Sequence, residues 1–328
     1  MSSTQKITMV GTGSYAPAQV VSNLALAESL PTTDHWIQSK LGIKERRVAV
    51  AGESTSVIAV KAANKALANA EIEAEDLDLV IVATATPDRL APSTAAIVQD
   101  AIGARNAAAF DLAAVCTGFL YSMTVATQFL TTGMYKTVMV VGADVFSSIT
   151  DWTRRDAVFF GDGAGAAIFR SGGAGEFLAS NLYADGSGKW AFTVPAGGSE
   201  MPATRETVDQ RLHSFQMDGH AVFDTAVKVL PEAIEAALNQ AKVSINDISL
   251  MIPHQPSVRI LKATAEKIGL PWEKVCTNMD RYANTSGGTI PILLDEVNRQ
   301  SRIRPGDIIL FAAVGSGWTY GASVYRWG

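Results

Sequence analysis

The chain repeats itself once, and that repeat limits the folds open to it. Ala66-Leu-Ala-Asn-Ala-Glu-Ile, then Asp76-Leu-Asp-Leu-Val-Ile81, matches Ala237-Leu-Asn-Gln-Ala-Lys-Val, then Asp247-Ile-Ser-Leu-Met-Ile252. The offset is about 170 residues, and at nearly the same offset Val138–Val141 falls on Ile308–Phe311 and Cys116 falls on Ser286. Solenoids repeat every 20–50 residues or so, so this spacing argues instead for duplication of one strand-and-helix unit.

Each copy joins a helical pattern to an apolar strand. Ser54 to Ala70 reads as an alanine-rich amphipathic helix, and Leu77 to Ala85 and Lys136 to Asp144 read as strands apolar on both faces. Such strands belong to parallel or mixed sheets covered by helices on both sides. Pro92, ahead of Ser-Thr-Ala, marks the first turn of a further helix. Ser171-Gly-Gly-Ala-Gly175 is the natural seam, which predicts halves at 1–174 and 175–328.

Composition narrows the function. Hydrophobic residues make up 48% of the chain and charged residues 18%, a balance that fits a large core and a further buried interface between subunits. A net charge of −5, with no Lys/Arg block, gives nucleic-acid binding no support. No apolar run reaches the length of a membrane span, and Met1-Ser-Ser-Thr-Gln-Lys6 lacks an apolar leader. A reducing cytoplasm is therefore the expected compartment. Two cysteines cannot make a disulfide framework or a zinc site.

Cys116 stands where an apolar run, Ala107 to Val115, gives way to a helical pattern ending at Gly133. Phe119, Leu120, Met123, Ala126, Thr127 and Leu130 recur at three- and four-residue spacing, and the pattern is apolar nearly all round. A thiol at such a helix start feels the positive end of the helix dipole, which favours thiolate. First-turn N–H groups have no helical partner and can hold a negatively charged oxygen. A buried structural cysteine is the alternative this stretch alone leaves open.

The repeat sets Ser286, in Asn284-Thr-Ser-Gly-Gly-Thr-Ile-Pro, at the matching helix start, and so draws both starts toward one centre. His254 follows the second-half strand, where ligands of open α/β sheets gather. Asn284 leads into the second helix, and Gly315-Ser-Gly317 follows the last buried strand. A lone His or loop Asn is ordinarily structural, but these groups all fall at equivalent strand ends. Other motifs carry less. Gly11-Thr-Gly13, after a strand at Ile7–Val10, lacks the third glycine of a dinucleotide loop, and Gly161–Gly165 reads as a structural turn with no phosphate-loop lysine. Residues 185–215 read as a surface excursion, Cys276 as core, and His35, His213 and His220 as surface or loop residues.

Over nearly its whole length the sequence resembles the 3-oxoacyl-acyl-carrier-protein synthase III family of thiolase-fold condensing enzymes. The matching motifs are Gly11-Thr-Gly-Ser-Tyr, Asp34-His-Trp-Ile, Gly42-Ile-Lys-Glu-Arg, Cys116-Thr-Gly-Phe, Phe160-Gly-Asp-Gly-Ala-Gly-Ala-Ala, His254-Gln, Asp280-Arg-Tyr-Ala-Asn-Thr-Ser and Gly317-Trp-Thr-Tyr-Gly. The resemblance implies an α/β, thiolase-like fold of two pseudo-symmetric βαβα-type halves in a layered αβαβα architecture. It implies that Cys116 takes an acyl group from acyl-CoA, with the N–H groups of Cys116 and Ser316 holding the thioester oxygen. His254 and Asn284 would then donate to the enolate formed when a malonyl thioester, on an acyl carrier protein or CoA, loses CO2. The product is a 3-oxoacyl thioester, for fatty-acid initiation or a specialised lipid or polyketide pathway. Trp36 and Arg155 would stack around the CoA adenine. Lys40 stands where an arginine often helps to bind CoA, and Arg259 would lie near the carrier-protein or pantetheine entrance. A homodimer is implied, with no metal and no cofactor beyond the CoA thioester substrates.

Besides Lys40, four positions depart from the family pattern. Ser257 replaces an asparagine that supports the active-site network, and Val314 replaces a phenylalanine common before the glycine loop. Asp224 stands where members using acidic carrier proteins have a basic residue. Ala91 occupies a position whose side chain can reach the partner subunit's acyl pocket. Small residues at 91 and 314 imply a primer larger than acetyl. Retention of Asn284 favours condensation over acyl transfer to an alcohol or amine, because an enolate needs two donors. An intact Cys116 argues against a non-catalytic interaction subunit, and a hydrolase would need a positioned water and an acid partner for the histidine.

Overall fold

The computed structural model describes residues 6–328; the leaderless start read from Met1–Gln5 lies outside the described residues. In chain order the elements are β1 (Ile7–Tyr15), β2 (Gln19–Ser22), α1 (Asn23–Ala27), α2 (Asp34–Leu41), β3 (Glu45–Val48), α3 (Thr55–Ala70), β4 (Leu79–Ala83), α4 (Thr94–Ala101), β5 (Ala108–Leu112), α5 (Gly118–Thr131), β6 (Thr137–Asp144) and β7 (Gly163–Ser171). There follow β8 (Glu176–Ala184), β9 (Phe192–Thr193), α6 (Arg205–Asp209), β10 (Gln216–Met217), α7 (Gly219–Ala241), β11 (Leu250–Pro253), α8 (Val258–Ile268), α9 (Met279–Tyr282), α10 (Thr289–Arg299), β12 (Ile308–Gly315) and β13 (Thr319–Arg326).

One sheet runs β1-β7-β6-β4-β5 and the other β11-β12-β13-β8. In the first, β4 is parallel to β5 and β6, while β7 is antiparallel to β6 and β1. In the second, β11 is parallel to β12, while β13 is antiparallel to β12 and β8. The repeated segments hold matching places: β4 follows α3 and pairs with β6, as β11 follows α7 and pairs with β12.

Strand periodicity turns these sheets into layers. Leu79 and Ile81 of β4 and Val138 and Val140 of β6 share a core with Phe119 and Met123 of α5 and Leu293 and Leu294 of α10. Their neighbours Val80, Val82, Met139 and Val141 face the other way, onto Ile58, Ala62 and Ala66 of α3. Ile309, Phe311 and Ala313 of β12 join the α5/α10 core, whereas Leu310, Ala312 and Val314 meet Leu230 and Ile234 of α7 and Leu261 of α8. Alternate residues on a strand must point to opposite faces, so each fully apolar strand serves two cores. The result is the expected αβαβα stack. α5 and α10 lie between the sheets, which is why α5 is apolar nearly all round.

Several local expectations are corrected. β1 does not stop at Val10 but runs on through Gly11 and Gly13 to Tyr15. A Cβ at Gly11 would lie 2.5 Å from the Ala66 carbonyl oxygen, so glycine there lets β1 approach α3. Gly163 and Gly165 likewise lie in β7 rather than in a turn, and a Cβ at Gly165 would lie 2.6 Å from the Ile292 amide nitrogen of α10. Pro92 does stand next to the first turn of α4, whose cap is Ser93, accepting from the Ala96 N–H. Residues 185–215 do more than cover the surface. Phe192 and Phe215 stack at 5.5 Å, and Phe160 meets Phe215 at 4.8 Å and Phe146 at 4.3 Å. That aromatic wall flanks the functional cavity.

Candidate active site

Cys116 sits in a turn, Val115–Thr117, that comes between β5 and α5; the helix itself starts two residues later, at Gly118. Val115 has φ of 47°, a left-handed conformation that β-branched residues rarely adopt, and strain of this kind collects at functional sites. The turn Ser286–Gly288 ahead of α10 is its counterpart, and Ser286 has φ of 50°. The two turns touch: the Cys116 thiol lies 3.8 Å from Ser286 Oγ. Asp144, fully buried at the end of β6, holds the second of them, accepting from the Gly287 N–H at 2.9 Å, and ties it to the loop after β4 by accepting from the Ala85 N–H at 2.7 Å.

His254 is the first residue after β11, and its N–H donates to the Ala312 carbonyl at 2.8 Å. Its Nδ1 lies 2.7 Å from Thr289 Oγ1, and that hydroxyl also lies 3.0 Å from the Ser286 carbonyl. The ring is buried, and burial drives its pKa down to about 3, so the imidazole is neutral at physiological pH. Asn284 is pinned by its backbone, donating to Phe159 at 3.1 Å and accepting from Gly161 at 3.0 Å. Its Oδ1 accepts the Ser286 N–H at 2.8 Å. With the amide oxygen occupied, the amide nitrogen is left to donate, and the side chain stabilises a thiolate at Cys116.

The dipole expectation for Cys116 is overturned. Burial pushes its thiol up to about 12, and the Asp144 charge pushes the same way, while Ser286 and Asn284 pull back. A rise of that size corresponds to about 4 kcal/mol, whereas a helix terminus contributes only about 0.3–1 kcal/mol. Desolvation wins, and the resting group is a thiol. Burial also raises the Asp144 carboxyl despite its hydrogen-bond donors.

These groups share one cavity of about 580 Å³. Cys116, His254, Asn284, Gly315 and Ser316 line its reactive part, and Phe160, Phe192, Met217, Val314 and Trp318 line its apolar part. Trp36, Lys40, Arg155, Ser257 and Arg259 also line it. The Arg155 guanidinium sits 3.9 Å over the Trp36 ring, and that of Arg259 5.0 Å over Phe223. Ser257 caps α8 by accepting from the Ile260 N–H at 3.3 Å. Among the described residues neither the Cys116 N–H nor the Ser316 N–H takes a protein acceptor.

Ala91 and Asp224 are not brought in. Ala91 lies exposed in the loop before α4, and Asp224 is exposed on α7 outside the lining. His220 and His213 are surface and turn residues as expected, although His220 also borders the cavity and His213 lies 3.0 Å from Thr207 Oγ1. Cys276 is buried as expected, with Arg302 donating to its sulfur at 3.6 Å. Sequence reasoning missed Thr289, Trp318, Phe192, Met217 and Asp144. Asp144 left a signal, a charge closing a wholly apolar strand, and Trp318 left one as part of the Gly317-Trp-Thr-Tyr-Gly motif. Among the described residues no cluster of three or more His, Cys, Asp or Glu side chains is arranged to hold a metal, and no helix is long and apolar enough to cross a membrane.

The chain resembles known proteins over nearly its whole length. The family model for 3-oxoacyl-[acyl-carrier-protein] synthase III matches residues 110–186, and that for its C-terminal part matches 238–327. The beta-ketoacyl-[acyl-carrier-protein] synthase III of Clostridioides difficile strain 630 is 45% identical over 323 residues, 98% of each chain. The crystal structure of 3-oxoacyl-[acyl-carrier-protein] synthase III from Aquifex aeolicus VF5 matches with a TM-score of 0.91 at 39% identity, covering 98% of this chain and 100% of that one. The priming beta-ketosynthase of the R1128 polyketide biosynthetic pathway matches with a TM-score of 0.89 at 30% identity, covering 98% and 96%. The chain belongs to the 3-oxoacyl-[acyl-carrier-protein] synthase III family of thiolase-fold condensing enzymes.

Proposed function

We propose that this enzyme catalyses decarboxylative Claisen condensation, an acyl transfer from acyl-CoA to the carbon of a malonyl thioester. The supporting observation is a buried Cys116 sharing one cavity with a neutral His254 and an Asn284 whose amide nitrogen is free to donate. Cys116 sulfur attacks the acyl-CoA carbonyl; the new C–S bond replaces the one to CoA, which leaves with the thiol's proton. The Cys116 and Ser316 N–H groups hold the oxygen while it carries charge. Acylation thus splits one hard step into two.

The malonyl thioester then loses CO2, and the electron pair of the broken bond passes to the thioester oxygen. Asn284 Nδ2 donates to that oxygen directly. His254 can do so only with hydrogen on Nε2, which requires its Nδ1 to accept. Thr289 supplies that donor: turning its one hydroxyl hydrogen from the Ser286 carbonyl to Nδ1, 2.7 Å away, puts the ring hydrogen on Nε2. The carbanion attacks acyl-Cys116, a C–C bond replaces the C–S bond, and the sulfur, leaving as thiolate, takes up a proton from water.

On this reading Trp36 and Arg155 take the CoA adenine, with Lys40 and Arg259 near its phosphates and pantetheine. Residues 1–174 supply the nucleophile and 175–328 the two enolate donors, and a homodimer brings Ala91 to the partner's acyl pocket. The extender is a malonyl thioester on a carrier protein, with fatty-acid initiation or polyketide priming as the pathway. The test is an acyl-CoA panel for acylation, followed by malonyl-CoA set against malonyl carrier protein. A 3-oxoacyl thioester with release of CO2 is expected, and acyl-Cys116 that discharges only to water or an alcohol would refute condensation.

A further inference from the structure

Arg46 on β3 is the largest of the fully buried side chains, and its guanidinium forms no ion pair among the described residues. It donates instead to three neutral oxygens: Val21 carbonyl at 3.1 Å, Asn23 Oδ1 at 2.9 Å and Val158 carbonyl at 3.0 Å. Its Nε has no partner. Burial lowers its pKa to about 10, which leaves it charged at neutral pH. The neighbouring Glu45 charge acts on it only at a distance. A buried cation without a contacting counter-charge is costly, so an apolar residue of like volume would serve packing better. Its value has to lie in what it holds.

The three oxygens belong to two segments, residues 21–23 and the turn that ends at Val158, each connected to a residue that lines the cavity. Val158 closes the short turn Arg155–Val158, which carries Arg155. Asn23, itself 1% exposed, passes the connection on: its Nδ2 donates to Asp34 Oδ1 at 2.9 Å and to the Ile43 carbonyl at 2.7 Å, the two ends of α2. α2 carries Trp36, and Gln38 closes on Asp34 at 2.8 Å. Gly161 makes room for the arrangement, since a Cβ there would lie 3.0 Å from Arg46 Cβ. The Trp36–Arg155 pair is thus joined through the interior by Arg46 and Asn23.

We propose that Arg46 is a positioning residue which, through Asn23 and the Val158 carbonyl, fixes the backbones under Trp36 and Arg155 and so sets the grip on the nucleotide end of a CoA thioester. This rests on the reading of Trp36 and Arg155 as the nucleotide clamp. With both backbones fixed, only the exposed Arg155 side chain has to move one stacking distance to admit a purine. Without Arg46, both segments shift, and the ordering has to be supplied by the substrate.

The experiment compares Cys116 acylation by one acyl group carried on CoA and on N-acetylcysteamine, a thioester lacking the nucleotide. Arg46→Met and the milder Asn23→Ala should each raise the half-saturating CoA-thioester concentration about tenfold, while acylation by the truncated thioester holds within about twofold. Arg46→Lys, which keeps the charge but not the fork, should fall between. Trp36→Ala is the control for the clamp. Should it leave the CoA-thioester requirement unchanged, the clamp reading falls and the proposal with it. A raised requirement for Trp36→Ala alone, or equal losses on both thioesters for Asn23→Ala and Arg46→Lys, would overturn the role of Arg46 while leaving the clamp intact.

Discussion

Cys116 and Ser286, 170 residues apart and equivalent in the internal repeat, meet with Sγ and Oγ 3.8 Å from each other. The duplication therefore closes on itself at the reactive group. One copy kept the thiol and the other supplies a hydroxyl beside it, from a turn held by the buried Asp144 through the Gly287 N–H. The copy without the nucleophile brings His254 and Asn284 to the same cavity.

The resting thiol gives the first prediction. With its pKa raised to about 12, Cys116 is protonated throughout the neutral range. Iodoacetamide labelling of Cys116 should accelerate about tenfold per pH unit between roughly pH 7 and 9, because only thiolate reacts. A plateau near pH 7 would show a stabilised thiolate and contradict the burial argument.

Thr289 should matter through the histidine. Thr289→Val removes the hydroxyl that lies 2.7 Å from His254 Nδ1, while Thr289→Ser keeps it. Losing one hydrogen bond of about 1.4 kcal/mol corresponds to about tenfold in rate. Malonyl decarboxylation should fall by about that factor in Thr289→Val and recover in Thr289→Ser, with acylation of Cys116 nearly unchanged. Imidazole nitrogen resonances should show the hydrogen moving off Nε2 in the valine variant; unchanged resonances with unchanged decarboxylation would remove Thr289 from the mechanism.

Primer length tests the two small residues separately. Val314 lines the cavity of its own chain, so Val314→Phe should shorten the longest acyl-CoA accepted whatever the oligomeric state. Ala91 lies outside that cavity, so Ala91→Phe can shorten the primer only from a partner subunit. A chain-length profile that Val314→Phe changes and Ala91→Phe does not would remove the cross-subunit assignment.

His254 links stability to acid. Its folded-state pKa of about 3 lies below the ordinary 6.5, so below pH 6.5 the unfolded chain takes up a proton that the folded chain refuses. Stability from this group is present above 6.5 and is lost as pH falls, by about 1.4 kcal/mol per unit. In denaturant titrations the wild type should lose that much more per unit than His254→Gln between about pH 4.5 and 6.5. Parallel curves would mean that the imidazole is already charged or exposed.

The repeat, the doubly apolar strands and the meeting of Cys116, His254 and Asn284 were legible in the sequence because each rests on period or on equivalence between copies. What escaped depends on burial. The dipole at Cys116 can be read from a helix pattern, but the larger desolvation cannot. Arg46 sits in a basic run, Lys44-Glu-Arg-Arg47, and nothing in that run marks one arginine as interior. Phe192 and Phe215 stand alone in a Gly- and Pro-rich stretch, without the spacing that would announce a wall. Glycines at 11, 13, 163 and 165 resemble ligand loops by composition, yet they let strands pack closely on helices.

The central claim is that Cys116 carries the acyl group between two half-reactions, and intact-protein mass spectrometry tests it most directly. Incubation with acyl-CoA should add the mass of one acyl group per chain, on the peptide containing Cys116, and a malonyl thioester should then discharge it as 3-oxoacyl product. In His254→Ala and Asn284→Ala the adduct should form and persist, with decarboxylation down by about a hundredfold or more. Absence of an adduct with every chain length tried, or an adduct that survives Cys116→Ala, would contradict the account.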